Sequence, residues 1–169
     1  MSKMSRSSIK QKEAKRLLAN FFKSINMKSQ NFSIKPPVEL VKTNDEEIVF
    51  VNKAPIFARS NNKLIPTLLS DKLLFQLPKV TVNMGAIPHI CNGADVMAPG
   101  VVRFEGDFNA EDVVVVLDER HQKPVALTTA LYCKEEAEKL KHGKILKNVH
   151  YIGDKLWSTI KQLSSKQSS

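Results

Sequence analysis

The segment that most constrains the fold of this chain is GAIPHICNGADVMAPGV, from Gly85 to Val101. It contains three glycines and two prolines. Glycine permits sharp turns and the close approach of a partner, and proline interrupts regular hydrogen bonding, so neither a long helix nor a regular strand can run through the segment. We therefore predict a short helix from Ala86 to Asn92 that ends at Gly93, followed by an extended chain from Val96 to Phe104.

A second informative segment is NVHYIGDKLW, from Asn148 to Trp157. It begins as an aromatic strand, and a turn at Gly153 and Asp154 separates that strand from the only tryptophan of the chain. Because side chains on a strand alternate between two faces, we expect one of His150 and Tyr151 to face the core. The sequence does not decide which of the two it is.

Runs of β-branched residues predict most other strands in the second half of the chain. The predicted strands are 80–82, 113–117, 125–131 and 149–152. A charged helix is predicted from Lys134 to His142, where Gly143 ends it. Many short strands with two small helices are typical of a compact, partly closed β-barrel.

The first half of the chain begins with a predicted amphipathic helix. Ser8 and Gln11 fit a capping box, and apolar residues recur after it at helical spacing, with lysine and arginine on the other face. A short helix is also predicted at 64–69. The predicted strands of this half are 38–42, 48–51 and 56–58.

The hydrophobic pattern changes at Leu77 and Pro78, where strand-like alternation begins. We therefore predict an N-terminal domain at residues 1–78, a second domain at 79–160 and a flexible, serine-rich tail at 161–169. The predicted fold class is α+β, in which a small α/β domain is followed by a β pseudobarrel with two short helices.

Positive charge is concentrated near the N-terminus. The formal net charge is +9, and residues 1–35 hold nine lysines and arginines against one acidic residue. A concentrated basic surface attracts polyanions, of which RNA is the commonest in the cytosol; a purely solubilising basic face is the alternative. If RNA is the partner, the helix residues expected to contact its phosphates are Lys10, Lys12, Lys15 and Arg16.

The sequence offers no recognisable catalytic constellation. His89 and Cys91 lie two positions apart, but no second pair follows at the spacing of a zinc site. Phosphate-cradling glycine loops, dinucleotide fingerprints and nucleophile elbows are missing as well. We therefore expect no enzyme activity, no metal and no cofactor. The apolar runs are far shorter than a membrane span and no apolar signal core is found, so we expect a cytoplasmic protein with reduced cysteines.

Four segments, taken in order, resemble the PUA domain, the RNA-binding pseudobarrel of pseudouridine synthases and archaeosine transglycosylases. They are VTVNMGAIPHICNGADVMAPGV, DVVVVLDE, KPVALTTALY and NVHYIGDKLW. Upstream of them, KLIPTLLSDKLLFQLPKVTVN resembles the junction in the malignant-T-cell-amplified-sequence proteins and their archaeal relatives, in which a small α/β pre-PUA domain precedes the PUA domain. The chain is similar to an archaeal-type member of that family.

The resemblance implies non-catalytic RNA binding in translation. The partners it implies are tRNA or rRNA, the small ribosomal subunit and a translation-factor partner protein. The RNA-binding residues it implies, by their position in the motifs, are Asn92, Gly93, Ala94, Asp95, Met97, Pro99, Gly100, His150 and Tyr151. An accessory or specificity module for an RNA-modification enzyme is the alternative, because the same barrel occurs appended to such enzymes. A protein-interaction adaptor would instead bind RNA weakly and without salt dependence.

Overall fold

The structure is a computed structural model that describes residues 3–27, 37–60 and 62–167. The chain divides into two compact units, one made of Met1–Ser70 with Ser158–Ser169 and the other of Asp71–Trp157. Lys28 and Lys35, which belong to the basic N-terminal segment, lie outside the described residues. None of the described helices is long and apolar enough to cross a membrane.

The first unit contains an antiparallel sheet and an amphipathic helix. Its elements up to residue 70 are β1 (Ser5–Ser8), α1 (Gln11–Ser24), β2 (Val38–Lys42), β3 (Glu46–Val51), β4 (Ala54–Ser60) and β5 (Lys63–Pro66). The strands lie in the order β1-β2-β3-β4-β5, so each pairs with its neighbour in sequence. Helix α1 buries Leu18, Phe21 and Phe22. The ring of Phe21 stacks on that of Phe57 at a centroid distance of 4.1 Å, which anchors the helix to β4.

Two local predictions in this unit are wrong, because strand pairing overrides local sequence preference. The capping box does not form: Ser8 lies in β1 and pairs with Glu39 of β2, and α1 begins after Lys10 without a side-chain cap. The helix predicted at 64–69 is instead the end of β5 and a turn, and Ile65 pairs with β4. In both places a neighbouring strand satisfies backbone groups that a helix would otherwise use.

The second unit is built on a mixed sheet. Its elements are α2 (Asp71–Phe75), β6 (Lys79–Val82), α3 (Ile87–Ile90), β7 (Val96–Met97), a 3₁₀ turn (Ala98–Gly100), β8 (Val101–Glu105), β9 (Val113–Asp118), β10 (Pro124–Ala130), α4 (Lys134–Lys139) and β11 (Lys144–Tyr151). The strand order is β7-β11-β10-β9-β6-β8, with β6 and β9 parallel and the other pairs antiparallel. Every residue of β9 is buried, as its β-branched run predicts. The predicted α+β class, with a small α/β part followed by a β pseudobarrel, is confirmed.

A final helix, α5 (Lys155–Gln167), corrects the prediction of a flexible tail from residue 161. Its apolar residues Leu156, Ile160 and Leu163 are buried. They recur at intervals of four and three residues, so they lie on one helix face. The serine-rich composition of the segment obscures this periodicity. Residues 168 and 169 of the predicted tail lie outside the described residues.

Candidate functional site

A cavity of about 540 Å³ opens in the second unit, between the short helix α3 and the edge of the sheet at β7 and β11. Small and apolar side chains form most of its wall. The lining residues are Ala86, His89, Ile90, Gly93, Ala94, Asp95, Val96, Met97, Gly100 and Lys144. Five of the residues predicted to bind RNA are therefore brought together in one concave site, where a ligand can be buried on several sides.

The glycine loop, defined here as Asn92–Asp95, forms the mouth of this cavity. Gly93 has a φ of +95°, a left-handed conformation that glycine adopts without strain. A Cβ atom at this position would lie 3.4 Å from Cε1 of Tyr151. Asn92, Gly93 and Ala94 are all exposed. Gly93 thus ends α3, as predicted, and the ring of Tyr151 packs directly beneath the loop.

Asn148 of β11 holds the glycine loop in place. Its side-chain amide donates to the backbone oxygens of Ile90 and Ala94, each at 3.0 Å. Its backbone N–H donates to Oδ1 of Asp95 at 2.8 Å. This role was not predicted from the sequence, although Asn148 opens the NVHYIGDKLW segment. The available signal was a carboxamide within a predicted strand, which needs hydrogen-bond partners once it is partly buried.

A bulge in β11 explains how Asn148 and Tyr151 reach the same loop. Leu127 of β10 pairs with His150 and Thr128 pairs with Asn148, so Val149 has no residue opposite it. Strict alternation would place side chains three positions apart on opposite faces. The extra residue shifts the alternation by one, and both side chains then face the glycine loop.

Two opposite charges lie beside each other in the cavity. Nζ of Lys144 is 3.3 Å from Oδ2 of Asp95, and the side chain of Lys144 is 62% exposed against 24% for Asp95. Lys144 was missed because basic and acidic residues nearly balance over 79–169, so that the second half of the chain shows almost no net charge. A shorter window shows the signal, since 139–144 (KLKHGK) contains three lysines and no acidic residue.

The segment Met97–Gly100 forms the opposite rim. Met97 is 45% exposed and lines the cavity. The N–H of Ala98 donates to the backbone oxygen of Gly143 at 2.8 Å, so the turn before β11 is attached to this rim. A Cβ on Gly100 would lie 3.4 Å from that of Ala86. Pro99 is exposed but is not part of the cavity wall.

His150 is the one predicted RNA-facing residue that the structure contradicts. Its side chain is 1% exposed and its Nδ1 lies 2.8 Å from Oδ2 of Asp154. A buried imidazole cannot touch an RNA, so His150 is the core-facing member of the pair, whereas Tyr151 is only partly buried and packs beneath the glycine loop. The expectation that the two residues face opposite ways is therefore confirmed.

Asp154 joins the end of β11 to the start of α5. Besides His150, it accepts hydrogen bonds from the N–H groups of Tyr151 at 3.0 Å and Trp157 at 2.7 Å. The bond to Trp157 is that of a helix N-cap. Burial alone would raise the pKa of Asp154, but its hydrogen bonds and the nearby His150 outweigh burial, so this pKa lies below the ordinary aspartate value.

The four predicted phosphate-contacting residues, Lys10, Lys12, Lys15 and Arg16, lie in the first unit and are all exposed. Three of them belong to α1 and Lys10 immediately precedes it. The described residues provide no ion-pair partner for any of the four. Their charges are therefore open to an anionic ligand.

Among the described residues, no group of three or more His, Cys, Asp or Glu side chains could hold a metal ion. Both cysteines are free thiols. Burial raises the pKa of the Cys91 thiol, which disfavours the thiolate that a nucleophile requires.

Comparison with known proteins places this architecture in a family. A family model of the PUA domain matches residues 78–152, and a model described as a domain of unknown function matches residues 5–70. A solved structure of a PUA domain protein from Aeropyrum pernix, in a tartrate complex, superimposes with a TM-score of 0.83 at 29% identity, over 96% of this chain and 94% of that chain.

Three curated relatives are similar to this chain over more than half of its length. An uncharacterized protein of Methanocaldococcus jannaschii is 42% identical over 87% of this chain and 90% of its own length. Malignant T-cell-amplified sequence 1-B of Xenopus laevis is 33% identical over 73% and 71%. Translation machinery-associated protein 20 of Schizosaccharomyces pombe is 33% identical over 62% and 61%. The chain therefore belongs to the family of PUA-domain proteins that includes malignant T-cell-amplified sequence 1 and translation machinery-associated protein 20.

Proposed function

We propose that this protein binds structured RNA through the cavity of its PUA domain and acts, without catalysis, as a translation-associated factor. The observation that carries the proposal is the cavity itself, where an exposed glycine loop and Lys144 meet around an apolar wall. RNA helices conceal their base edges in a deep groove, so proteins recognise their shape, phosphates and unpaired ends. A concave apolar site that also presents a lysine suits an unpaired end.

The glycine loop is suited to close contact with a nucleic-acid backbone. Gly93 and Ala94 have minimal side chains and are exposed, so phosphate or ribose can approach their main chain. Lys144 and His89 supply hydrogen-bond donors at the same cavity. The apolar wall, to which Met97 contributes, can cover the face of an unstacked base. Asn92 and Pro99 lie on the exposed turns beside the cavity and belong to the same proposed interface.

The basic residues of the first unit contribute affinity that does not depend on sequence. Lys10, Lys12, Lys15 and Arg16 are exposed and unpaired among the described residues, so each can neutralise a phosphate. Neutralising four phosphates releases counterions, and the logarithm of the binding constant should then fall with the logarithm of salt concentration with a slope of about −3 to −4.

The family supports a place in translation. One relative is named as a translation machinery-associated protein, and we extend that association to this chain. The proposed RNA is tRNA or small-subunit rRNA, with the small ribosomal subunit as the site of action and a translation-factor partner protein beside it. Such a function belongs to the cytoplasm, which is the location that the sequence predicts.

The test is a binding measurement with a charge placed at the mouth of the cavity. Ala94→Glu adds a carboxylate to the exposed loop, and Ala110→Glu adds the same group to an exposed loop that does not line the cavity. Fluorescence anisotropy with labelled tRNA should show at least about tenfold weaker binding for Ala94→Glu than for Ala110→Glu. Equal affinities, with circular dichroism showing both variants folded, would remove the cavity from the binding site.

The contribution of α1 is tested by the salt dependence of the same binding. Replacing Lys10, Lys12, Lys15 and Arg16 together by alanine should flatten the log–log slope by about 3, whereas Lys63→Ala on β5 should leave it within about 1 of the native value. An unchanged slope in the fourfold variant would show that these residues do not contact phosphate. Recovery of the native protein from cells with a modification enzyme, in place of small ribosomal subunits, would contradict the role in translation.

A further inference from the structure

The cavity contains a negatively charged group where a polyanion is proposed to bind. Of its lining residues, His89, Asp95 and Lys144 carry polar or ionisable side chains, and the other seven are apolar or glycine. A carboxylate repels phosphate and can accept hydrogen bonds but cannot donate them while ionised. Its presence in the wall of a proposed RNA site therefore calls for a donor on the ligand.

The carboxylate of Asp95 is held in a fixed orientation. Oδ1 accepts the backbone N–H of Asn148 at 2.8 Å, and Oδ2 lies 3.3 Å from Nζ of Lys144. The side chain of Asn148 in turn bonds to the backbone on either side of the glycine loop. An ionised carboxylate has about four lone-pair sites, so these two contacts leave room for a further donor on each oxygen.

The neighbouring Lys144 has the complementary property. Its ammonium donates and cannot accept, so it can bind a phosphate oxygen beside the carboxylate. In RNA the 2′-hydroxyl is attached to the carbon next to the one that bears the 3′-phosphate. One ribose thus presents a hydroxyl donor beside a phosphate acceptor. This arrangement is complementary to the protein, where the acceptor Asp95 lies beside the donor Lys144.

We propose that Asp95 accepts a hydrogen bond from a ribose hydroxyl while Lys144 binds the adjacent phosphate, so that this pair makes the cavity selective for RNA over DNA. The inference rests on the proposed function and specifies which groups of the RNA the same site recognises. The 2′-hydroxyl is the group that distinguishes the two nucleic acids at any given position. A terminal 3′-hydroxyl does not meet this requirement, because it has no 3′-phosphate beside it and occurs in DNA as well.

The probe is a synthetic RNA hairpin with a single-stranded 3′ end, and the native full chain is titrated with it. Three modified versions carry 2′-deoxyribose through the single-stranded end, a 3′-deoxy terminal nucleotide, or bases without exocyclic amino groups. Loss of a hydrogen bond to a charged acceptor should weaken binding about tenfold. We expect that loss in the 2′-deoxy version. A loss confined to the 3′-deoxy version would assign the carboxylate to a terminal hydroxyl, which DNA also carries, and would overturn the inference.

Asp95→Asn preserves an oxygen for the N–H of Asn148 but removes the charge. The deoxy penalty is the factor by which the deoxy substitution in the hairpin weakens binding. We expect this penalty to fall from about tenfold in the native protein to about threefold or less in Asp95→Asn, because a neutral partner makes a weaker hydrogen bond. Lys144→Gln should weaken the unmodified and deoxy hairpins by the same factor. Asp107→Asn is the matched control, because Asp107 is 99% exposed and lies outside the cavity, so its variant should retain the full penalty.

The outcomes separate this inference from the proposed function. No measurable binding of native protein to any hairpin would overturn the proposed function. Binding with the same deoxy penalty in native protein and Asp95→Asn, or with no penalty in either, would overturn the inference and leave RNA binding standing. A third outcome is that only the hairpin without exocyclic amino groups binds the native protein more weakly, and that this loss of affinity disappears in Asp95→Asn. The carboxylate would then be assigned to a base, which also overturns the inference. Thermal melting of each variant verifies that it is folded.

Discussion

Asp154→Ala should destabilise the second unit well beyond an ordinary surface substitution. The carboxylate accepts three hydrogen bonds, from Nδ1 of His150 at 2.8 Å and from the backbone N–H groups of Tyr151 at 3.0 Å and Trp157 at 2.7 Å. Alanine can accept none of them. The side chain that fixes the end of β11 is therefore also the cap of α5.

The expected magnitude follows from two separate losses. Removing an N-cap carboxylate costs about 1 kcal/mol. Leaving the imidazole Nδ1 of His150 without a partner, in a side chain that is 1% exposed, costs about 1–3 kcal/mol more. The free energy of unfolding should thus fall by about 2–4 kcal/mol. For a chain of this size each 1 kcal/mol lowers Tm by about 2–4 °C, so we expect a decrease of about 10 °C.

Thermal unfolding followed by circular dichroism and by the fluorescence of Trp157, the only tryptophan, measures this decrease. Asp107→Ala is the control, because its side chain is 99% exposed and should change stability by no more than about 0.5 kcal/mol. In the double variant Asp154→Ala/His150→Leu, the orphaned imidazole is gone and part of the stability should return. Equal melting temperatures for Asp154→Ala and Asp107→Ala would refute the reasoning.

Two further predictions concern acid stability and the glycine loop. The pKa of Asp154 in the folded protein lies below the ordinary 3.8, so its stabilising contribution is fully present above that value and is lost as the pH falls through the lowered pKa; urea titrations should therefore show the difference between native protein and Asp154→Asn shrinking below about pH 4. Gly93→Ala and Gly153→Ala both place a Cβ at a φ above +90°, and neither brings it closer to a neighbour than ordinary van der Waals contact. Both should therefore lower Tm by similar amounts through backbone strain, and an unchanged Tm in either variant would show that its turn can adopt another conformation.

The elements that the sequence predicted well are those whose pattern depends on local burial. Val113–Val116 is a continuous β-branched run because both faces of β9 are buried, so composition alone identifies the strand. Gly93 was predicted to end α3, because few other residues adopt a left-handed φ without strain. The capping box at Ser8 failed for the opposite reason: its partner, β2, lies about thirty residues away in sequence, and a local motif carries no information about that pairing.

The candidate site was harder to predict in its details because a single bulge decides which side chains face it. Without the unpaired Val149, alternation would separate Asn148 from Tyr151 and place them on opposite faces of β11. Bulges leave little trace in one sequence, since any residue can occupy the extra position. The sequence therefore predicts that one of His150 and Tyr151 faces the core but not which of them it is. The hydrogen bonds of Asn148 to the glycine loop could not be predicted from it.

The distribution of charge separates affinity from selectivity in the proposed mechanism. The pair formed by Asp95 and Lys144 has no net charge, so this pair cannot supply much of the long-range attraction to RNA. The exposed basic residues of α1, in the other unit, can supply it, and they can do so for any phosphate backbone. Substitutions in α1 should then change the salt dependence but leave the RNA-to-DNA ratio intact, whereas Asp95→Asn should change the ratio with little effect on the slope. If both sets of substitutions changed both quantities in proportion, the two functions would have to be assigned to a single binding surface.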